Sequence, residues 1–253
     1  MLNFYNRMSS EIYDIDKPIG HSFGDVEFYK ECLSGVSGPI LEPAVGTGRI
    51  LIPLLDAGLD VEGFDLSDEM LAICRKNCKE RDLSPRLYQG RMESFPTDRS
   101  YDAIIIPTGT FLLLHKRKES IQVLEQCYSH LNKGGKLILD LFVPKEFSIG
   151  RASTRTWHLA NGDIITLEDK LVEVDFINQY TISHNRYERW REGKLVATEL
   201  EQFPLRWYGV EEFRLLLNSL GFKEITISSD YSRHKFPDPS TEIITFEATA
   251  VHK

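Results

Sequence analysis

Cysteine is scarce in this chain: four residues in 253, Cys32, Cys74, Cys78 and Cys127, with no spacing that builds a disulfide or metal framework. Cys74 and Cys78 stand four apart in MLAICRKNCKE and share a face of the helix that this run predicts, yet no histidine or further cysteine lies nearby to complete a zinc site. The seven histidines are scattered, and no metal is expected. Positive charge is short as well. A formal net charge of -8 leaves no basic field for gathering phosphates, which argues against nucleic acid as a partner. No apolar run approaches the ~20 residues that span a bilayer, so no membrane partner is expected. The first residues, MLNFYNRMSSEIYD, lack the basic start and apolar core of a secretion signal, and the expected location is cytoplasmic.

What is present is the material of a globular core: 42% apolar and 27% charged residues. Short apolar runs alternate with longer amphipathic ones, the pattern of a parallel sheet covered by helices on both faces. Strands are predicted at 39–42, 60–64, 86–88, 101–106 and 136–142, and a helix at 118–131 that ends in Asn132-Lys133-Gly134-Gly135, glycines suited to a helix stop. GVEEFRLLLNSLGF predicts one more helix, followed by two strands in KEITISS and EIITFEATA. Between 151 and 206 the helical signals cease. Extended runs rich in Thr, Ile, Val and Tyr are broken there by Asn161-Gly162-Asp163, by 175–178 and by Glu192-Gly193, which predicts a four-stranded antiparallel meander. The expected fold is a doubly wound, seven-stranded Rossmann-like α/β sheet with an inserted meander. Its expected divisions are a core with an N-terminal lid segment at 1–150, an insertion covering the site at 151–206, and core-completing elements at 207–253.

The run ILEPAVGTGRI, residues 40–50, places Gly46 and Gly48 directly after a first strand. A dinucleotide fingerprint requires a third glycine three residues after Gly48, where Leu51 stands. A phosphate-binding loop requires Gly-Lys-Ser/Thr, and Gly48 is followed by Arg49 and Ile50. Both nucleotide readings weaken. What remains is Glu42 at the end of one strand, a glycine turn, and Asp65 at the end of the next, in VEGFDLS. An acid there can accept both hydroxyls of a ribose, while the turn admits a ligand ending in an amino acid rather than phosphates: S-adenosylmethionine.

ILEPAVGTGRI, VEGFDLSDEML, QGRMESF, YDAIIIPTGTFLLL and LNKGGKLILDLF follow one another in the order and spacing of the five motifs of the class I S-adenosylmethionine-dependent methyltransferases, which the chain resembles. DVEFYKECL and the meander are similar to a bacterial group of small-molecule methyltransferases, akin in layout to glycine and amino-sugar N-methyltransferases. The resemblance implies S-adenosylmethionine as cofactor, held by Glu42, Ala44, Gly46, Thr47, Gly48, Asp65, Leu66, Met70, Met92, Glu93 and Pro107. It implies transfer of the methyl group, by in-line displacement, to an amine or hydroxyl of a small molecule. Three residues carry the expected catalytic roles: Tyr13 closes over the donor, Tyr208 orients the acceptor, and His115 serves as base, two residues after the position where some relatives place a histidine.

The chain also departs from the pattern. Ala44 replaces the first motif glycine and follows Pro43, which stiffens the turn, and Arg91 stands where relatives place an aspartate for the adenine amine, leaving Glu93 or a backbone carbonyl near Met92 to accept instead. Several readings stay open in the sequence. Glu42 either meets the donor or orders its own loop amides; His115, ahead of Lys116-Arg117-Lys118, also reads as a solvated helix entry; Tyr13, Trp157, Trp190, Trp207 and Tyr208 also read as packing. A non-catalytic donor-binding protein and a nicotinamide-binding domain are the competing functions. The acceptor's identity and the oligomeric state are left open.

Overall fold

In the computed structural model, which describes residues 5–251, the apolar runs of the first half become parallel strands. Helices α1 (Arg7–Asp16) and α2 (Asp25–Cys32) precede β1 (Ile40–Pro43), α3 (Leu51–Asp56), β2 (Val61–Asp65), α4 (Asp68–Lys79), β3 (Leu87–Gln89) and β4 (Tyr101–Ile106). A single 3-10 turn (Thr110–Leu113), α5 (Arg117–His130) and β5 (Leu131–Phe142) follow. After the insertion come α6 (Val210–Ser219), β10 (Phe222–Ser229) and β11 (Ile243–Ala250). Seven strands form one sheet in the order β3-β2-β1-β4-β5-β11-β10. The first five run parallel, and β11 enters antiparallel to both its neighbours.

Because successive side chains of a strand point to opposite faces, each strand feeds two helix layers. Leu41, Ile104 and Ile106 pack with α5 and α6 through Val123, Leu124, Phe213 and Leu217, while Ile40, Ala103 and Ile105 pack with α2, α3 and α4 through Tyr29, Leu54, Leu71 and Cys74. Burial on both faces is why β1 and β2 read as continuous apolar runs interrupted by single carboxylates.

One sequence expectation changes. The helix ends at His130, and β5 begins at once rather than at 136. Leu131 pairs with Tyr101, then the register jumps to Lys136 opposite Ala103. A Cβ on Gly135 would lie 2.9 Å from the Asn132 carbonyl and 3.1 Å from that of Tyr101, so this glycine serves a close backbone approach inside the bulged strand, not a helix stop.

The insertion is a separate four-stranded antiparallel sheet in the order β6 (Ala152–His158), β7 (Ile164–Asp175), β8 (Tyr180–Arg191), β9 (Lys194–Arg206). Its turns use the residues that marked them: Gly162 and Gly193 take positive φ, and Asp175 accepts the amides of Ile177 and Asn178. Helix α1 is fastened to this sheet. Glu201 accepts the Asn6 amide (2.9 Å) and the Ser9 hydroxyl (2.6 Å), Glu199 accepts the Met8 amide (2.9 Å), and Asp16 accepts from Arg155 and Trp157. Two carboxylates thus sit at the helix N-terminus, where its free amides need acceptors. Met8 and Ile12 complete the joint against Ile165 and Tyr187.

Gly48 belongs to the packing. With φ +86°, it would place a Cβ 2.8 Å from Cys74 Sγ, whereas a Cβ on Gly46, at φ +58°, would meet nothing within 4 Å. Gly48→Ala is therefore expected to destabilise the fold by about 2 to 4 kcal/mol, left-handed strain plus overpacking, and Gly46→Ala by about 1 kcal/mol, strain alone. Urea unfolding midpoints of the two variants check the difference.

Candidate active site

The carboxyl ends of β1, β2, β3 and β4 converge on one rim of the sheet, where ligands of open parallel sheets bind. A cavity of about 300 Å³ opens there beneath Tyr5 and Tyr13 of the N-terminal segment. It passes into a smaller inner chamber lined by Glu42, Thr47, Arg49, Pro107 and Thr108, with Tyr13, Ala44 and Gly46 facing both spaces.

Asp65 ends β2 at the cavity wall. Its Oδ2 accepts the Gly46 amide (2.9 Å) and its Oδ1 the Ser67 amide (2.8 Å), so one carboxylate ties the glycine turn to the start of α4. Each oxygen keeps a lone pair for a further donor. Burial raises the carboxyl above its ordinary range, and the amides of Ser67, Gly46 and Leu66 oppose that rise. Leu66 and Met70 continue this wall, and Gly90, Met92 and Glu93 form the far end, where Arg91 Nη2 donates to Glu93 Oε1 at 2.7 Å.

Glu42 is buried, and its Oε2 has no hydrogen-bond partner among the described residues. The Gly46 amide of the loop donates to Asp65 rather than to Glu42. Burial raises its carboxyl well above the usual range; the Arg49 guanidinium opposes this and the Asp65 charge adds to it. Arg49 is the residue that sequence reasoning missed. Its guanidinium forks onto Asp25 of α2 (Nη2 to Oδ2 2.5 Å, Nη1 to Oδ1 3.1 Å), both side chains almost wholly buried, while its Nε is buried without a partner. The available signal was one cation between the glycine turn and the apolar run ILIPLL. Thr47 presents an unpartnered buried hydroxyl to the same chamber and accepts Asn77 Nδ2 on its carbonyl (3.1 Å).

Tyr13, carried on α1, faces both spaces with its hydroxyl toward Arg49 and Thr108. Burial raises its phenol, so it stays protonated at neutral pH. His115 lines the main cavity, its carbonyl accepting Arg206 Nε of β9 (2.9 Å) and its ring edge-on to Tyr180 of β8 at 5.4 Å. Burial, followed by the neighbouring Lys116 charge, lowers its imidazole, leaving it neutral at pH 7. Two expected site residues lie elsewhere. Tyr208 is buried in the core against Phe111 and Phe213 and donates to Ser120 Oγ at 2.7 Å, because α6 draws it under the sheet edge. Gly48 faces Cys74 rather than the cavity. Trp157, Trp190 and Trp207 are engaged by Asp16, by Thr166 and by Phe147, and none lines the cavity.

Beneath the inner chamber, Asp140 of β5 accepts the Thr108 amide (2.9 Å), Tyr231 (3.0 Å) and Thr245 (2.7 Å), fixing Thr108 at φ +58°. Burial pushes its carboxyl up to about 6. The folded state then holds this proton more tightly than the unfolded chain, so Asp140 contributes stability below pH ~4 that is lost as pH rises through about 6. The expected result is that parent stability falls relative to Asp140→Asn across that window, checked by urea unfolding at pH 4, 5, 6 and 7.

A doubly wound sheet with a glycine turn after the first strand and an acid at the end of the second is a Rossmann-like arrangement. A methyltransferase domain family matches residues 40–135. The chain is 30% identical over 196 residues to a glycine/sarcosine N-methyltransferase from Parasynechococcus marenigrum, 77% of this chain and 66% of that enzyme, so the match spans just under two thirds of the relative's length. It is 27% identical to a dTDP-3-amino-3,6-dideoxy-alpha-D-glucopyranose N,N-dimethyltransferase from Streptomyces fradiae over 64% of each chain. Among solved structures, an S-adenosylmethionine-dependent methyltransferase from Clostridium acetobutylicum superimposes with a TM-score of 0.75, at 19% identity and covering 96% and 98% of the two chains. Residues 40–135 thus carry a methyltransferase domain, and over most of its length the chain is similar to S-adenosylmethionine-dependent methyltransferases.

The residues present fit that family's cofactor. Glu42 Oε2 and Arg49 Nε, a buried carboxyl oxygen and a guanidinium N–H, both without partners among the described residues, lie on residues lining the inner chamber, an acceptor and a donor for a zwitterionic amino-acid end. Asp65 retains acceptors for a ribose.

Proposed function

We propose that the protein transfers a methyl group from S-adenosylmethionine to the amine of a small molecule. The observation carrying this reading is two buried polar atoms without partners among the described residues, Glu42 Oε2 and Arg49 Nε, on residues lining a small space next to the cavity that Asp65 lines. When bound, S-adenosylmethionine supplies a methyl group already activated on a sulfonium. The chain's residues then have limited tasks. Asp65 accepts the ribose hydroxyls, Glu42 and Arg49 take the ammonium and carboxylate, and Leu66, Met70 and Met92 pack on the adenine, with Glu93 accepting from its amine. Helix α1 covers the chamber and excludes water, and the meander, none of whose residues lines either space, holds that helix in place. Neutral His115 takes a proton from an amine that arrives charged, and Tyr13 orients it.

The relatives that methylate glycine, sarcosine and a sugar amine support a small acceptor. So does the net charge of -8, which opposes a polyanion. The test compares label transfer from methyl-labelled donor to total RNA, DNA, native and denatured protein, and a low-mass metabolite fraction. Saturable labelling of metabolites is expected. Labelling of a polymer with none in the metabolites would overturn the proposal.

A further inference from the structure

Resting on that reading, we infer that Asp140, which lines neither space, is a positioning residue for the amino-acid end of the donor: from beneath the inner chamber its carboxylate holds Thr108 in the left-handed conformation that forms part of the chamber wall. The chain turns there. Beyond Ile106, the last residue of β4, Thr108 takes φ +58° and Gly109 φ +69°, and a Cβ on Gly109 would lie 2.7 Å from the Phe142 ring. Glycine suits the second position. Threonine does not suit the first, because a β-branched side chain rarely adopts positive φ, and a residue so placed persists only where its surroundings hold it.

What holds it is the hydrogen bond from the Thr108 amide to Asp140 Oδ2 at 2.9 Å. The same oxygen accepts the Tyr231 hydroxyl at 3.0 Å, Oδ1 accepts Thr245 at 2.7 Å, and Tyr29 of α2 faces the same wholly buried carboxyl. These donors are not equivalent. A hydroxyl can turn and accept instead, whereas a backbone N–H can only donate. The bond to Thr108 is therefore the one that requires an oxygen at position 140.

On its other side Thr108 meets the donor site. It lines the inner chamber with Glu42 and Arg49, whose Oε2 and Nε are the unpartnered atoms there, and the Tyr13 hydroxyl of α1 turns toward both Arg49 and Thr108. Releasing the Thr108 amide lets residues 107–109 relax and shifts the wall against which Tyr13 and the methionine end are seated. Asp65, Met70 and Met92, which serve the nucleoside, line the larger cavity, which Thr108 does not.

The test titrates two ligands calorimetrically against the full-length protein: adenosylhomocysteine, and methylthioadenosine, the same nucleoside thioether without the amino-acid end. In Asp140→Ala, affinity for adenosylhomocysteine is expected to fall about 10-fold while that for methylthioadenosine changes by less than about twofold; Asp140→Asn, which keeps an oxygen toward Thr108, retains both. Tyr231→Phe/Thr245→Val removes the other two bonds and is expected to leave both affinities unchanged. Where Asp140→Ala does not fold, Asp140→Leu/Tyr231→Phe/Thr245→Val replaces the polar cluster with apolar groups at little cost in stability and gives the same readout. An equal loss for both ligands, the same loss in Tyr231→Phe/Thr245→Val, no loss at all, or no folded variant lacking the oxygen makes Asp140 a structural residue only; each overturns the inference and leaves the proposed function standing. A parent protein that does not bind adenosylhomocysteine overturns the proposed function and this inference with it.

Discussion

Replacing Asp65 by Ala is expected to weaken binding of S-adenosylmethionine by ~1.5 to 3 kcal/mol, roughly 10- to 150-fold, through loss of a charged acceptor for two ribose hydroxyls. The structure adds a second cost. Asp65 also accepts the Gly46 and Ser67 amides, so the variant loosens the glycine turn as it removes the ribose contact. Asp65→Asn is no milder: the amide group that replaces one oxygen is a donor and meets a backbone N–H where an acceptor stood. Both variants are expected to stay folded, because the orphaned amides lie at the cavity wall within reach of water. Titration calorimetry on each decides it, and unchanged affinity in a folded variant removes Asp65 from the donor site.

Arg49→Ala is expected to have the largest effect on stability. The change leaves Asp25 buried without its guanidinium, and removing one partner of a buried ion pair costs about 3 to 5 kcal/mol. Asp25 keeps the amides of Phe23 and Val26 and a long 3.4 Å bond from the Ser22 hydroxyl, none of them charged. The double variant Asp25→Leu/Arg49→Leu removes both charges together and is expected to recover most of the stability, since an apolar pair of similar volume replaces an ion pair at little cost. It does not recover donor affinity, because the carboxylate end has lost Arg49 Nε. Urea unfolding and donor titration on the three proteins separate the two effects; a single variant as stable as the parent would show that the pair is not desolvated.

Much of this was legible in the sequence because it is local. The strand runs, the Asn161-Gly162 and Glu192-Gly193 turns and the acid at the end of β2 are each set by a few neighbouring residues. What was not legible depends on residues far apart. The Arg49–Asp25 pair joins positions 24 apart, and the fastening of α1 by Glu199 and Glu201 joins positions about 190 apart. Tyr208 reads in the sequence either as an acceptor-orienting hydroxyl or as a core aromatic, and the packing against Phe111 and Phe213 with its hydroxyl on Ser120 makes it the second. Gly46 and Gly48 look alike in sequence. Only the approach of Cys74 from α4 makes one a packing glycine and leaves the other at the cavity. At the start of β5, helix stop and bulged strand use the same glycines, and the contact with Tyr101 chooses between them.

The measurement that bears most directly on methyl transfer is the stoichiometry of adenosylhomocysteine formed against methyl groups gained by a low-mass amine, with the parent protein beside Asp65→Ala. One adenosylhomocysteine per methylated nitrogen, at a rate that falls in the variant with the loss of donor affinity, is the predicted result. Tight donor binding with no adenosylhomocysteine formed in the presence of any metabolite fraction would contradict it and leave a donor-binding protein without transferase activity.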